Sequence, residues 1–189
     1  MLAVFAAALG INTAYFLKHD PALVRRRLAV GPTAETEPTQ KTIQTVTSLL
    51  LLAILILSAL DWRFGWSGRP AAIWALVGEA LILLGFAVIF VVFRTNSFTA
   101  ATVRVAGDQP LVDTGPYALV RHPMYAGAVP MMIGMPLALG SWWGLVPSAF
   151  MIAALAWRLT DEERVLVAEL PGYEDYRSRV RWRLCPGLY

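Results

Sequence analysis

The sequence predicts an all-α integral membrane protein with about five transmembrane helices. Hydrophobic residues make up 57% of the chain and charged residues only 15%, whereas a soluble domain carries roughly 25% charged residues. The apolar residues form long uninterrupted stretches, and the lysines and arginines lie almost entirely on one side of them. Because a bilayer offers no water to unpaired amides, spanning segments are helices or closed barrels, and long apolar runs favour helices.

Five apolar stretches account for the predicted helices: residues 2–17, 43–60, 71–93, 123–139 and 142–159. Each is close to the ~20 residues that a helix needs to cross ~30 Å of hydrocarbon. The first lacks the basic start of a signal peptide, so we predict a retained helix. The last two are separated by Gly140 and Ser141 alone, which predicts a tight hairpin, bent at Pro130, Pro136 and Pro147.

The 189 residues are predicted to form one membrane domain. Residues 1–93 hold three helices, and residues 94–189 hold a loop, the hairpin and a C-terminal tail. The polar segment 32–40 is predicted to be a loop without a function of its own. No nucleic-acid partner and no metal are expected, and the single cysteine excludes a multi-cysteine metal site.

Basic residues predict the orientation of the chain. Of the 16 lysines and arginines, all except Arg63 and Arg69 flank the same ends of the apolar stretches. Cytoplasmic segments are enriched in these residues, so the N-terminus is predicted outside and the C-terminal tail in the cytoplasm. The arginines of residues 177–183 are expected to rest on anionic membrane lipids.

Polar residues converge on the predicted cytoplasmic side of the hairpin. The loop 94–122 ends at Arg121 and His122, directly before the first arm. A group of charged residues follows the second arm: Arg158, Asp161, Glu162 and Glu163. A short hairpin turn places both groups at the same depth on adjacent helices. Residues 158 and 162 share a face if the helix continues, because they are separated by one turn.

Three motifs follow one another in this half of the chain: Arg121-His122-Pro123-x-Tyr125-x-Gly127, Arg158-x-x-x-Glu162-Glu163-x-x-Leu166 and Gly172-Tyr173-x-x-Tyr176. In this order they resemble the isoprenylcysteine carboxyl methyltransferase family, and the related phospholipid N-methyltransferases share much of the pattern. The resemblance covers about residues 111–176. It implies an enzyme that transfers a methyl group from S-adenosyl-L-methionine to a lipophilic acceptor, with the cofactor held by the loop and helix ends.

The resemblance also implies roles for individual residues. Those matching cofactor-binding positions are Leu111, Val112, Tyr117, His122, Pro123, Met124, Tyr125 and Glu162. Arg158 matches the substrate-facing arginine, and Arg158, Glu162 and His122 are the expected catalytic residues. A carboxylate suits a cationic cofactor, and an arginine can bind an acceptor carboxylate through two hydrogen bonds. The expected acceptor is the carboxylate of a prenylated cysteine or a similar isoprenoid.

Other interpretations stay open. A phospholipid amine acceptor would need a carboxylate or histidine to take its proton. An NADPH-dependent membrane reductase is a second enzyme class. A small transporter or assembly protein would use the same polar residues only as interfacial anchors. Glu163 either functions, or points away from Arg158 and caps or solvates the tail. Tyr173 and Tyr176 either pack the tail or line a cofactor pocket.

Overall fold

The computed structural model describes residues 1–28, 31, 33–35, 37–68, 70–99 and 110–188, and their regular structure is helical throughout. The α-helices are α1 (Leu2–His19), α2 (Pro21–Leu28), α3 (Pro38–Phe64), α4 (Ala72–Thr95), α5 (Pro123–Ala138), α6 (Leu145–Glu169) and α7 (Tyr173–Arg179), with a 3-10 turn at Gly115–Ala118. The all-α prediction is therefore confirmed for these residues. Arg69 and residues 100–109 of the loop before α5 lie outside the described residues.

Helices α1, α3 and α4 are long and apolar enough to cross a membrane. Many of their large apolar side chains are exposed, as expected for surfaces that face lipid. Helix α5 has 16 residues, a length of about 24 Å against the ~30 Å of a bilayer core. Helix α6 has 25 residues and is charged near its end. That α5 and α6 also span the bilayer, giving five crossings, stays a prediction.

Helices α4 and α5 touch through glycines. A Cβ on Gly134 of α5 would lie 2.6 Å from the Gly78 carbonyl oxygen of α4. Two turns away, a Cβ on Gly85 would lie 2.5 Å from the Gly127 carbonyl oxygen. Small residues allow this close backbone approach between membrane helices. The contact fixes the start of α5 against the end of α4, where the polar residues gather.

The connection between α5 and α6 is longer than predicted, because it comprises residues 139–144 rather than Gly140 and Ser141 alone. The Ser141 hydroxyl donates a hydrogen bond to Asp61 Oδ2 at 2.5 Å and accepts one from the Gly144 amide at 3.0 Å. Asp61 is buried at the end of α3. These bonds need irregular backbone, so the hairpin prediction was wrong in the length of its turn.

Two of the three prolines expected to bend the hairpin lie in the interior of a helix, and the third lies in the first turn of one. Pro130 and Pro136 are within α5, where each removes an intrahelical hydrogen bond. The Met132 carbonyl, four residues before Pro136, instead accepts a 2.8 Å hydrogen bond from the Ser148 hydroxyl of α6. Pro147 is the third residue of α6, in a first turn whose amides have no intrahelical acceptor. A proline in this first turn breaks no intrahelical hydrogen bond, so its position gives no reason to expect a bend.

The glycine contact predicts that Gly134→Ala separates α4 from α5. We expect the substitution to lower the free energy of unfolding by about 1–3 kcal/mol, as for an overpacked core. Gly10→Ala in α1 is the matched control, because nothing lies within 4 Å of a Cβ at that position. Thermal unfolding in detergent, followed by circular dichroism, measures both. Equal melting temperatures for the two variants would contradict the close contact.

Candidate active site

The polar residues expected at one end of the hairpin do lie together. We call the surface formed by residues 121–125 and residues 158–163 the rim. His122 precedes α5 and Pro123 is its first residue, which suits proline because its missing amide hydrogen has no intrahelical role there. Residues 158–163 lie in the last turns of α6. The rim therefore combines the start of one helix with the end of its neighbour.

Glu163 is buried and accepts hydrogen bonds from three basic side chains. Arg121 Nε lies 2.6 Å from Oε1, His122 Nε2 lies 3.2 Å from the same oxygen, and Arg183 Nε lies 3.0 Å from Oε2. Burial alone would raise the pKa of Glu163, but the hydrogen bonds and charges of His122 and Arg121 lower it to about 2. Glu163 is thus a buried anion that binds the tail, in agreement with the alternative in which it points away from Arg158 and caps the tail, although it is not solvated.

The C-terminal tail folds back onto the start of α5. The backbone amides of Arg121 and His122 each donate a 2.9 Å hydrogen bond, to the carbonyls of Trp182 and Arg183 respectively. Arg121 Nη1 donates to the Val180 carbonyl at 2.8 Å and to the next carbonyl along the chain at 2.7 Å. The tail therefore lies against the rim.

The two tyrosines of the third motif pack the tail. Tyr173 and Tyr176 form a buried apolar cluster with Leu170 and Val180, against which Leu111 packs. The Tyr176 hydroxyl donates a 2.8 Å hydrogen bond to the Tyr117 carbonyl. The Tyr173 hydroxyl is buried without a hydrogen-bond partner among the described residues. It is therefore a polar group that a ligand near Glu162 and Glu163 could satisfy.

Glu162 has different partners from its neighbour. The Tyr125 hydroxyl donates a 2.6 Å hydrogen bond to Glu162 Oε2 and accepts one of 2.9 Å from Arg158 Nε. Arg158 and Glu162 thus meet at one tyrosine hydroxyl, as their spacing on one face of α6 predicts. Beneath them, Tyr125 packs with Leu155 and Leu159 in a buried apolar cluster. This side of the rim combines a carboxylate, a guanidinium and an apolar floor.

The sequence analysis missed Glu35, which lies in the segment predicted to have no function. Its side chain is fully buried and pairs with Arg158 Nη2 at 3.1 Å. Gln44 Nε2 donates a 3.1 Å hydrogen bond to the same carboxylate oxygen. One turn earlier on α3, Gln40 Nε2 donates to Asp161 Oδ2 at 2.7 Å. The sequence held one signal for this contact: an acidic residue in a segment predicted to lie on the same side of the membrane as Arg158.

Arg27 is the second residue that the sequence analysis missed at the rim. It belongs to α2, an eight-residue helix that hydropathy did not reveal. Its Nη1 lies 3.3 Å from the Met124 sulfur, and its guanidinium lies 5.2 Å from the centre of the Phe93 ring. The side chain is within electrostatic reach of Tyr125 and Glu162. Two arginines, Arg27 and Arg158, therefore flank the Tyr125–Glu162 pair.

The other residues expected to bind the cofactor have contacts of their own, away from the Tyr125–Glu162 hydrogen bond. The Tyr117 hydroxyl accepts a 3.3 Å hydrogen bond from Asn96 Nδ2, and burial raises the pKa of Tyr117 to about 12, so it stays protonated. Leu111 belongs to the tail cluster rather than to the Tyr125 side. Val112 is half-buried. The structure thus joins Tyr125 and Glu162 directly and places His122 with Glu163.

Two comparisons with known proteins found similar proteins. The family model for phospholipid methyltransferases matches residues 73–172. The fold is similar to a structure of the eukaryotic intramembrane Ras methyltransferase ICMT (isoprenylcysteine carboxyl methyltransferase) without a monobody, with a TM-score of 0.59 and 20% sequence identity. The similarity covers 70% of this chain and 50% of that one, so the chain spans half of the solved relative. No curated protein sequence matches the chain.

The geometry at Glu163 predicts that Glu163→Gln releases the tail. The substitution leaves the buried Arg121 without its anion, a change that costs about 3–5 kcal/mol when a buried pair is broken. We expect trypsin to cleave the tail arginines at least tenfold faster. Glu162→Gln is the control, because its tyrosine partner lies in α5. Digestion of both variants at the wild-type rate would contradict the attachment.

The low pKa of Glu163 predicts that tail attachment tolerates mild acid. A carboxylate with a lowered folded-state pKa stabilises above its ordinary value of 4.5, and the stabilisation is lost as the pH falls through about 2. A fluorophore on Cys185, the single cysteine, reports tail mobility through its anisotropy. We expect constant anisotropy from pH 7 to pH 5. An increase in mobility over that interval would show that another group controls attachment.

Proposed function

This chain belongs to the phospholipid methyltransferase family, and we propose that it transfers a methyl group from S-adenosyl-L-methionine to a lipophilic acceptor in the membrane. Its apolar helices and its fold are those of an integral multi-pass membrane protein. The methyl donor supplies an activated methyl group on a positively charged sulfur. The observation that supports the proposal most strongly is the Tyr125–Glu162 pair at the rim.

The charged and hydrogen-bonding groups of the rim fit this cofactor. Glu162 accepts from a tyrosine hydroxyl and offers negative charge to a cationic donor. The second and third residues of α5, Met124 and Tyr125, have amides without intrahelical acceptors, and such amides bind carboxylates. The unpartnered hydroxyl of Tyr173 adds a further donor or acceptor. These groups bind and orient; they form no covalent bond with the donor.

Several residues have positioning roles in this proposal. His122 and Pro123 fix the start of α5, and Glu163 holds His122 through the 3.2 Å contact. Tyr125 orients both Glu162 and Arg158. Methyl transfer is a displacement that depends mainly on alignment and exclusion of water, so such positioning is the main contribution of the protein.

The first candidate acceptor is the carboxylate of a prenylated cysteine or a similar isoprenoid. Arg158 would bind the carboxylate through its guanidinium. The buried apolar cluster of Leu155 and Leu159 lies beneath this side of the rim. A carboxylate nucleophile carries no proton, so no base is required.

The second candidate is the amine of a phospholipid, which the Glu35–Arg158 ion pair favours. Glu35 already neutralises the guanidinium that an acceptor carboxylate would use. The carboxylates of Glu35 and Glu162 balance the guanidiniums of Arg158 and Arg27. This balance leaves no net positive charge for an acceptor carboxylate and suits a neutral amine near Tyr125. An amine must lose a proton on methylation, and Glu162 is a carboxylate at the rim that could accept it.

The proposal predicts saturable binding of S-adenosyl-L-methionine to the detergent-purified chain, measured by isothermal titration calorimetry. Glu162→Gln should weaken binding about tenfold or more, because it removes a charge from a charge-assisted contact. Glu169→Gln, an exposed position on the same helix, should bind like the wild type. NADPH is the comparison ligand.

Transfer of a labelled methyl group then identifies the acceptor. Labelling of N-acetyl-S-farnesylcysteine would support the carboxylate, and labelling of phosphatidylethanolamine would support the amine. Binding of NADPH in place of the methyl donor would favour the reductase. Binding of neither by folded protein would contradict an enzymatic function of the rim.

A further inference from the structure

A second, basic cleft lies on a different face of α6. It has a volume of about 470 Å³ and is lined by Thr160, Glu163, Arg164, Val167, Arg177 and Arg183. The four lining positions on α6 recur at the spacing of one helix face, i, i+3, i+4 and i+7. The residues near Tyr125 (155, 158, 159 and 162) follow the same spacing on another face. The cleft is therefore separate from the Tyr125–Glu162 side of the rim.

Positive charge exceeds negative charge around this cleft. Its lining contains three arginines and one carboxylate, Glu163, which also accepts hydrogen bonds from Arg121 and His122. The nearest carboxylates outside the lining are Asp161, 3.7 Å from Arg164, and Glu174, 2.7 Å from Arg177.

Those two outer ion pairs do not cancel the positive charge. The Arg164 side chain is 82% exposed, and both members of the Arg177–Glu174 pair are also exposed. Exposed pairs of this kind contribute little energy. Both guanidiniums can therefore exchange these partners for an anion that enters the cleft at little cost.

Exposed tryptophans indicate the depth of the cleft in the membrane. Trp157 lies on α6 just before Thr160, and Trp182 lies next to Arg183; both indoles are exposed, as is typical of the membrane interface. Arg164 is about 10 Å beyond Trp157 along the helix axis. The headgroup layer on each side of a bilayer is roughly 5–8 Å thick. The cleft thus begins within the headgroup layer, at Thr160, and opens at the aqueous edge of that layer, near Arg164.

We propose that this cleft binds the phosphate of an anionic phospholipid headgroup on the predicted cytoplasmic side. Guanidinium groups match phosphate oxygens in charge and in planar geometry. The basic residues converge on a concave space, so the site differs from a general attraction of the tail to the membrane. Arg183 links the cleft to the rim, because Glu163 receives hydrogen bonds from both Arg183 and Arg121.

The test is binding of dioctanoyl phosphatidylglycerol to the detergent-solubilised chain, compared with dioctanoyl phosphatidylcholine and with inorganic phosphate. Arg164→Gln and Arg177→Gln should each weaken phosphatidylglycerol binding about fivefold, the effect of losing one arginine near an anionic headgroup. Arg181→Gln is the matched control. It removes an equal charge from an exposed position of the same tail that does not line the cleft, and it should change binding less than twofold.

Each outcome has a definite meaning. Preference for phosphatidylglycerol, lost in the two cleft variants and kept in the control, would support the site. Equal weakening by Arg181→Gln would overturn it in favour of diffuse electrostatic attraction. Inorganic phosphate binding as tightly as phosphatidylglycerol would overturn the assignment to a lipid. Absence of binding in folded wild-type protein would overturn the proposal altogether. None of these outcomes depends on methyl transfer.

Discussion

Three parts of the chain that are distant in sequence meet at one buried carboxylate. Glu163 at the end of α6 accepts from Arg121 and His122 before α5 and from Arg183 in the tail. A buried anion is unfavourable unless charged hydrogen-bond donors surround it, so the three donors have to stay in place. The glycine contact between α4 and α5 brings the start of α5 to the required depth. The geometry of the rim depends on the contacts between Glu163 and these three donors.

The neighbouring glutamate has a different part in the molecule. Glu162 is held by one tyrosine hydroxyl that also accepts a hydrogen bond from Arg158, and it is within electrostatic reach of Arg27. Arg158 was expected to bind the carboxylate of the acceptor. Its pairing with Glu35 alters that expectation, because Glu35 already neutralises the guanidinium. Glu35 and Arg27 lie before the segment that matches the family. The N-terminal part of the chain therefore sets the charge of the rim.

Hydropathy and helical spacing predicted most of the helices and the grouping of residues at the rim, but not the two N-terminal residues Glu35 and Arg27. Long apolar runs located the spanning helices, and the spacing of residues 158 and 162 placed them on one face. The eight-residue α2 was missed because it is too short and too polar to appear in a hydropathy pattern. The contact between Glu35 and Arg158 has no signature in local spacing, since only packing of α3 against α6 brings them together. The docking of the tail onto the start of α5 likewise has no signature in local spacing.

Hydrogen–deuterium exchange with and without S-adenosyl-L-methionine tests the central claim most directly, namely that the rim binds the methyl donor. The account predicts slower exchange in peptides that cover residues 117–127 and 158–166 when the methyl donor is added. Peptides from the opposite end of the hairpin, residues 139–146, should not change. Protection confined to that opposite end, or exchange unaffected at the rim under saturating donor, would contradict the account.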